Sequence, residues 1–371
     1  MYSLYASNLE LLLDSRIATM AKTLTRLYPW LKTPVIASAP MLGAATPSLA
    51  ANVTNAGGIG FIAGGANLDS LNKNLEETAS LLHTRSTGNS LPIGVGFQLW
   101  GCKLGVAVAA ITKHKPAVAW LFAPKEIEEL GSWSAALREA GNGKTRIWIQ
   151  IGSVAEARKA VQLADPDLLV VQGSDAGGHG LADSASVISL IPEVQDLLAS
   201  MGKTTPLFAA GGITDGRGVT GALALGAAGV VMGTRFLAAK EAGIAKGWQQ
   251  EVLRVDDGGR TTNRSTLCDR LKETKGWPEV YNGRAVANQG HVDEGKGMSD
   301  RENAAKYKEE LKQGDAAWGE HGRMVAYAGT GVGLIHEVKS AAEIVDEVRN
   351  GAKEAVRRVY DTHDIAGDSK L

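Results

Sequence analysis

Residues 167–180 read DLLVVQGSDAGGHG, an unbroken apolar run that stops at a glutamine and passes into four glycines within eight positions. A strand with one wet face alternates apolar and polar residues, so a continuous run such as DLLVV belongs to a strand buried on both faces. Seven further runs share the pattern: VIASAPM (35–41), GIGFIAG (58–64), PIGVGFQ (92–98), PAVAWLFA (116–123), TRIWIQI (145–151), TPLFAAGG (205–212) and AGVVMGT (228–234). Between them lie segments of helical spacing, among them LDSLNKNLEETASLLHT, SVAEARKAVQLA and DGRGVTGALALG, so strand and helix alternate through residue 245. Eight buried parallel strands separated by helices close a (β/α)8 or TIM barrel of the α/β class; an open doubly wound sheet is the alternative.

The alternation ends near residue 246. GWQQEVLRVDDGGRTTNRSTLCDRLKETKGWPEVYNGRAVANQG is polar, ENAAKYKEELKQGD reads as a charged helix, and no barrel strand fits either. Apolar, glycine-rich character resumes in RMVAYAGTGVGLI (323–335), followed by the helical SAAEIVDEVRNGAKEAVRRVY. We therefore expect a barrel from residues 30–245 plus 321–371, an inserted lid or second domain at 246–320, and a helical cap at 1–29.

With 39 Lys and Arg against 40 Asp and Glu, the net charge of -1 gives no electrostatic case for nucleic acid or an anionic membrane. No stretch approaches the roughly 20 apolar residues of a membrane span. Glu10 and Asp14 interrupt the apolar part of the first segment, which argues against a secretory signal. Cys102 and Cys268 are too few for a disulfide framework and have no metal-ligand spacing around them, which suits a reducing compartment and leaves no metal site expected. The last three residues, Ser369, Lys370 and Leu371, spell a peroxisomal address, with the import receptor as the expected partner and a cytoplasmic location as the fallback. Monomer and oligomer are both open.

In such barrels the catalytic face lies at the C-terminal ends of the strands. The loops after the seventh and eighth runs carry Gly211, Gly212, Gly233 and Thr234, and this is where barrels of this kind bind phosphate, because glycine lets backbone N–H groups approach an anion. Tight turns are the simpler use of the same glycines. His179 stands between Gly177, Gly178 and Gly180. A packing histidine usually sits within a helix or strand, where glycine neighbours would each cost roughly 0.5–1 kcal/mol, so His179 reads as part of a shaped loop. Its imidazole can take a proton from a carbon acid or hold an anion. Asp175 is open to two uses, orienting the loop or the histidine, or forming an Asx turn. His83, His114, His291, His321, His336 and His363 default to surface or packing roles. Gln98, Gln172 and Met41 end strands where a planar heterocycle can be met, although buried amides that cap strands look the same. Trp248, Trp277, Tyr281 and Trp318 either shield a site or pack a lid.

The stretches APMLG (39–43), NAGGIGFIAGG (55–65), VVQGSDAGGHG (170–180), AAGGI (209–213), VVMGTRF (230–236) and AGTGVGLI (328–335) together resemble nitronate monooxygenase, formerly 2-nitropropane dioxygenase, in order across about 300 residues. The resemblance implies a flavin barrel with a smaller inserted domain and non-covalent FMN. It implies FMN contacts at Met41, Gln98, Gln172, Gly177 and Gly178, with further contacts at Ala210, Gly211, Gly212, Met232, Gly233 and Thr234. His179 would be the active-site base or anion partner. The implied reaction is oxidation of an alkyl nitronate, or of a nitroalkane, by O2 to a carbonyl compound and nitrite, with the flavin carrying the redox chemistry. Thr330 stands where many relatives have glutamine. The related FMN-dependent enoyl reductase, using NAD(P)H, and a flavin-binding protein without turnover are the alternatives. A barrel of the inosine-monophosphate dehydrogenase type is excluded, because GSDAGGHG holds no cysteine nucleophile.

Overall fold

The computed structural model describes residues 23–83 and 90–362. Residues 1–22 of the expected cap, His363 and the Ser369–Leu371 terminus lie outside them. Each of the eight apolar runs contributes a strand: β1 (Val35–Ser38), β2 (Phe61–Ala63), β3 (Leu91–Gln98), β4 (Pro116–Phe122), β5 (Arg146–Ile151), β6 (Leu168–Gln172), then, after a short strand β7 (Gly178–Leu181), β8 (Leu207–Ala210) and β9 (Gly229–Met232). All neighbouring pairs are parallel in the order β1-β9-β8-β6-β5-β4-β3-β2, and a parallel bridge between Ala37 and Ile59 joins the two ends, so the sheet is a (β/α)8 barrel rather than an open layer.

Seven helices follow the strands in sequence, and five of them begin at a residue whose side chain caps the first turn. Thr46 accepts from the Leu49 N–H ahead of Pro47–Asn55, Ser153 does so for Val154–Ala164 and Asp215 for Gly216–Ala224. The eighth helix is delayed. After β9 comes only the one-turn Thr234–Leu237, and the place is filled by Ala341–Thr362, which packs on both Gly216–Ala224 and Pro47–Asn55. Arg349, buried on this last helix, donates from both terminal nitrogens to the carbonyls of Ala56 and Gly57 at 3.1 Å each and so ties the end of the chain to the first βα unit.

Side-chain alternation sorts the core into two shells. Ile36, Val95, Ile149, Val171 and Met232 point outward into the layer under the helices. Val35, Phe61, Trp120, Trp148, Val170 and Phe208 point inward. Trp148, Phe61 and Phe208 are fully buried, and the rings meet edge-on or tilted at centroid distances of 4.9 to 5.4 Å. Each contributes about 1.5–3 kcal/mol by leaving water. Their bulk is matched by inward-facing glycines, since a Cβ on Gly94 would overlap the Phe61 ring and one on Gly229 the Phe208 ring. Leu24, Tyr28 and Leu31 close the N-terminal mouth, where the Tyr28 hydroxyl accepts from the Trp148 indole N–H at 3.2 Å.

Residues 246–320 add no strand to the barrel. They form helices Lys246–Arg254, Leu267–Lys272, Gln289–Gly295 and Asp300–Leu311 and two strands, β10 (Thr262–Ser265) and β11 (Tyr281–Val286). β10 and β11 make an antiparallel sheet whose third member is β7, in the order β10-β11-β7. Here the sequence reading is corrected: His179 does not sit in an irregular loop but on β7, opposite Gly283. The pairing partner lies about 100 residues downstream, where local pattern carries no trace of it.

The inner shell predicts the cost of filling it. Gly94→Ala drives a methyl into the buried Phe61 ring. Urea unfolding should show destabilisation of about 1–3 kcal/mol, the usual penalty for overpacking, and an unchanged midpoint would contradict the packing described.

Candidate active site

Four backbone segments meet at the C-terminal end of the barrel. The loop after β6 is folded back by Ala176 N–H to Gly173 O (3.1 Å), and Gly173 N–H itself donates to Ala210 O on the next strand (2.9 Å). The loop after β8 holds Gly211 at φ +113° and Gly212 at φ +72°, conformations that side chains other than glycine's rarely adopt. The turn after β9 presents Gly233 and Thr234, and the returning segment 328–331 closes the group. Thr234 Oγ1 accepts from Gly329 N–H at 2.9 Å, and Thr330 N–H donates to Asp175 O at 3.0 Å. A Cβ on Gly177 would overlap the main chain of Ala328 and Gly329, so these loops lie backbone against backbone. What results is a cradle of main chain at the strand ends, the geometry that suits an anion.

The expected contact residues fall around it unequally. Met41 reaches the turn, its Sδ 3.6 Å from where a Gly233 Cβ would stand. Ala210 faces the barrel interior. Gln98 ends β3, two residues on from Gly96 and so on the same inward face. Gln172 is committed to the protein, since its Nε2 donates to His179 O at 3.2 Å. At Met232 alternation turns the side chain outward into the helix-facing layer, fully buried, so that only its backbone lies at the site. Asp175 does not orient the histidine. Its carboxylate accepts from Thr330 Oγ1 at 3.1 Å, which also gives Thr330 a local role within the cradle.

The histidine's partner is Asp269, on the short helix Leu267–Lys272. His179 Nε2 lies 3.0 and 2.9 Å from the two carboxylate oxygens, and both side chains are close to nine-tenths buried. The Trp277 indole stacks on the imidazole at 3.9 Å with the planes 3° apart, and Tyr327 leans on it at 5.5 Å. Trp277 also meets Trp100 from the loop after β3 (4.8 Å) and Phe122 from the end of β4 (6.1 Å), and Phe122 meets Tyr281 (5.3 Å). An aromatic wall therefore runs from the barrel mouth to the histidine. Trp248 sits behind it against Tyr327 (6.2 Å), and Trp318 packs on Gly247 away from the wall.

Charge is concentrated under the β6 loop. Arg264 donates from Nη2 to Ala176 O (2.7 Å), and Arg284 from Nε to Ser174 O (3.2 Å). Burial and the neighbouring Arg284 lower the Arg264 guanidinium to about 10, so it remains a cation at neutral pH. Burial pushes the Cys268 thiol, next to Asp269, up to about 12, so it stays protonated. Burial likewise raises the Tyr327 phenol. Among the described residues no group of three or more His, Cys, Asp or Glu side chains is placed to hold a metal ion.

Asp269, Arg264, Arg284 and Tyr327 were not found by the sequence reading. Arg264, Asp269 and Arg284 lie on elements that carry no motif, Tyr327 stands just before the AGTGVGLI stretch, and only the three-dimensional return of 246–330 onto the barrel collects them. Phe122 and Gln150 were within reach, because they continue the inward alternation of Trp120 and Trp148; Gln150 Oε1 accepts from the Trp120 indole N–H at 3.2 Å.

A closed parallel barrel with its catalytic-end loops interlocked beside a carboxylate-bound histidine is the plan of a (β/α)8-barrel enzyme. The family profile described as nitronate monooxygenase matches residues 133–351. Nitronate monooxygenase npaC of Metarhizium robertsii is 46% identical over 340 residues, covering 90% of this chain and 94% of the relative. A nitronate monooxygenase of Neurospora crassa is 40% identical over 376 residues, covering 93% and 96%. Among solved structures, FabK from Thermotoga maritima superposes with a TM-score of 0.70 at 25% identity, covering 92% of this chain and 98% of that one. Nitroalkane oxidase from Streptomyces ansochromogenes superposes at 0.69 and 24%, covering 91% and 99%, and supports the fold. The chain belongs to the nitronate monooxygenase family, a family of flavin-dependent oxidoreductases.

At the edge of the wall, Glu156 accepts from Gly152 N–H (2.7 Å) and from the Tyr281 hydroxyl (3.1 Å). Burial outweighs these bonds and raises its carboxyl above the ordinary 4.5. The folded chain therefore keeps this proton to higher pH than the unfolded chain, and the stability it confers, full below 4.5, is lost as pH rises through the folded value. Wild type should lose stability relative to Glu156→Gln between pH 4.5 and neutrality in urea titrations; the opposite slope would contradict the burial of this carboxyl.

Proposed function

We propose that the protein binds FMN non-covalently and oxidises alkyl nitronates with O2 to a carbonyl compound and nitrite. The observation that carries this reading is the place of His179: beside a main-chain cradle, at the mouth of a barrel, walled by aromatic rings. The names of the two fungal relatives point the same way.

The cradle fits the phosphate of a flavin mononucleotide. Gly211 and Gly212 adopt backbone conformations open to glycine, and a Cβ at Gly212 would press on Asp175 at 3.1 Å. We assign the phosphate to Gly211, Gly212, Gly233 and Thr234. Met41 and Gln98 would meet the ring system, and Gly177, Gly178, Ala210 and the Met232 backbone would line its approach. FMN, when bound, supplies the redox chemistry. The chain's own task is to bind a small anion beside the ring, exclude water and manage one proton. The Trp100, Phe122, Trp277 and Tyr281 rings exclude water from the mouth, and among the described residues His179 is the imidazole placed beside them. We further propose that residues 246–320 act as a lid, because they supply Trp277 and the carboxylate on the histidine.

Purified protein should be yellow, with the absorption spectrum of bound flavin, and should consume O2 with propionate 3-nitronate. Anaerobic NADH should leave the flavin oxidised whereas a nitronate bleaches it; the reverse result would favour the enoyl reductase reading. His179→Ala should keep FMN and lose about 10²–10⁴-fold in turnover of a neutral nitroalkane, the range for removal of a general base. Normal nitroalkane turnover in that variant would remove His179 from the mechanism.

A further inference from the structure

We propose that Glu156 is a positioning residue for the candidate active site: through the Tyr281 hydroxyl it pins the loop that holds Trp277 against His179. Its bearing on turnover rests on the function proposed above. The start of the helix Val154–Ala164 leaves one of its carboxylate oxygens free for this. Ser153 caps that helix by accepting from Glu156 N–H (3.1 Å), and Glu156 Oε2 returns to Gly152 N–H (2.7 Å). Oε1 accepts from the Tyr281 hydroxyl at 3.1 Å. One carboxylate oxygen thus serves the barrel and the other the inserted segment.

What hangs on that bond is the Trp277 loop. Lys275, Gly276, Glu279 and Val280 are exposed, so the loop has little packing of its own. It is tied at its start by Thr274 N–H to Asp269 O (2.9 Å), and at its end by Tyr281 N–H to Pro278 O (3.0 Å) and Ala182 N–H to Val280 O (2.8 Å). At this second end the Tyr281 ring meets Phe122 and Trp277 (5.3 and 6.3 Å), while Trp277 lies flat on the imidazole at 3.9 Å. Behind Tyr281 is a cavity of about 350 Å³, lined also by Ile127, Lys159 and Val280, so packing does not hold the ring from that side. The hydroxyl bond does. A tyrosine hydroxyl set among aromatic rings needs such a partner, and Glu156, on a helix of the barrel, is fixed where the loop is not.

The test compares Tyr281→Phe, Glu156→Leu, Glu156→Gln and the double variant carrying both Tyr281→Phe and Glu156→Leu. Amide hydrogen exchange of the purified protein, followed by mass spectrometry, reads the loop without reference to activity. Loss of one such hydrogen bond should speed exchange across residues 275–283 about two- to ten-fold in Tyr281→Phe and in Glu156→Leu. In Tyr281→Phe the first turn of Val154–Ala164 should exchange as in wild type. Glutamine can accept from Gly152 N–H and donate to the tyrosine oxygen, so Glu156→Gln should keep the slow exchange. The double variant should be no faster in the loop than Glu156→Leu alone, since both changes remove the same bond. In Tyr281→Phe, KM for ethylnitronate should rise about two- to ten-fold with kcat within about two-fold of wild type, the pattern of lost uniform binding. The inference is overturned if Tyr281→Phe exchanges in the loop at the wild-type rate, if Glu156→Gln is as fast as Glu156→Leu, if the effects of the two changes multiply, or if the loop loosens with KM unchanged. Wild type inactive on ethylnitronate would instead overturn the proposed function, and the exchange comparison would still decide the role of Glu156.

Discussion

The pairing of β7 with β11 is the contact on which the site depends. It places His179 opposite Gly283 and Leu181 opposite Tyr281, joining a glycine-rich excursion after the sixth barrel strand to a hairpin about 100 residues later. Alone, Gly178–Leu181 has no reason to be extended, since its glycines favour no single conformation. Paired, it becomes a strand whose alternate faces do different work. Gly180 turns toward Gln172 and Arg264, where a Cβ would overlap the Gln172 amide, and His179 turns toward Asp269, Trp277 and Tyr327. The carbonyls of Ser174 and Ala176, which would otherwise be left without partners, are met by Arg284 and Arg264 from the same hairpin. One sheet therefore fixes the histidine and satisfies the loop that carries it.

The barrel beneath is rigid for a different reason. Its interior is filled by Trp148, Phe61, Phe208 and Trp120, with glycines opposite the rings, and its lower mouth is stopped by Tyr28 and Leu31. A packed interior allows the upper loops to be glycine-rich, because their positions are set by the strands and by each other rather than by local preference. The contacts among Gly177, Gly329, Thr330 and Asp175 are main chain to main chain, with one side-chain bond from the Thr330 hydroxyl to the Asp175 carboxylate. Such a cradle has little freedom to shift, and pre-organised donors are worth most when they need not move.

Most of the barrel was legible in the sequence. Continuous apolar runs mean burial on both faces, glycines gather at strand ends, and the helical period between runs is plain, so the eight strands and the parallel order follow. The late eighth helix was partly legible from the return of apolar spacing after residue 323. The site was legible in halves. Gly211, Gly212, Gly233, Thr234 and His179 sit in local patterns with a physical meaning. Asp269, Arg264 and Arg284 sit in an unremarkable polar stretch and gain their meaning from a sheet formed between distant segments. Asp175 shows the limit of proximity arguments, since four residues from His179 in sequence it serves Thr330, while Asp269, 90 residues away, serves the histidine. At Met232 the two-residue period of the strand turns the side chain away from the mouth and leaves the backbone there.

The most direct test of this account is an experimentally determined structure with FMN and a nitroalkane analogue bound. We predict the phosphate within hydrogen-bond distance of the N–H groups of Gly212 and Thr234, the ring system over the barrel mouth, and His179 Nε2 still on Asp269 with the imidazole beside the analogue. A flavin phosphate seated elsewhere, or an imidazole remote from the ligand, would contradict it.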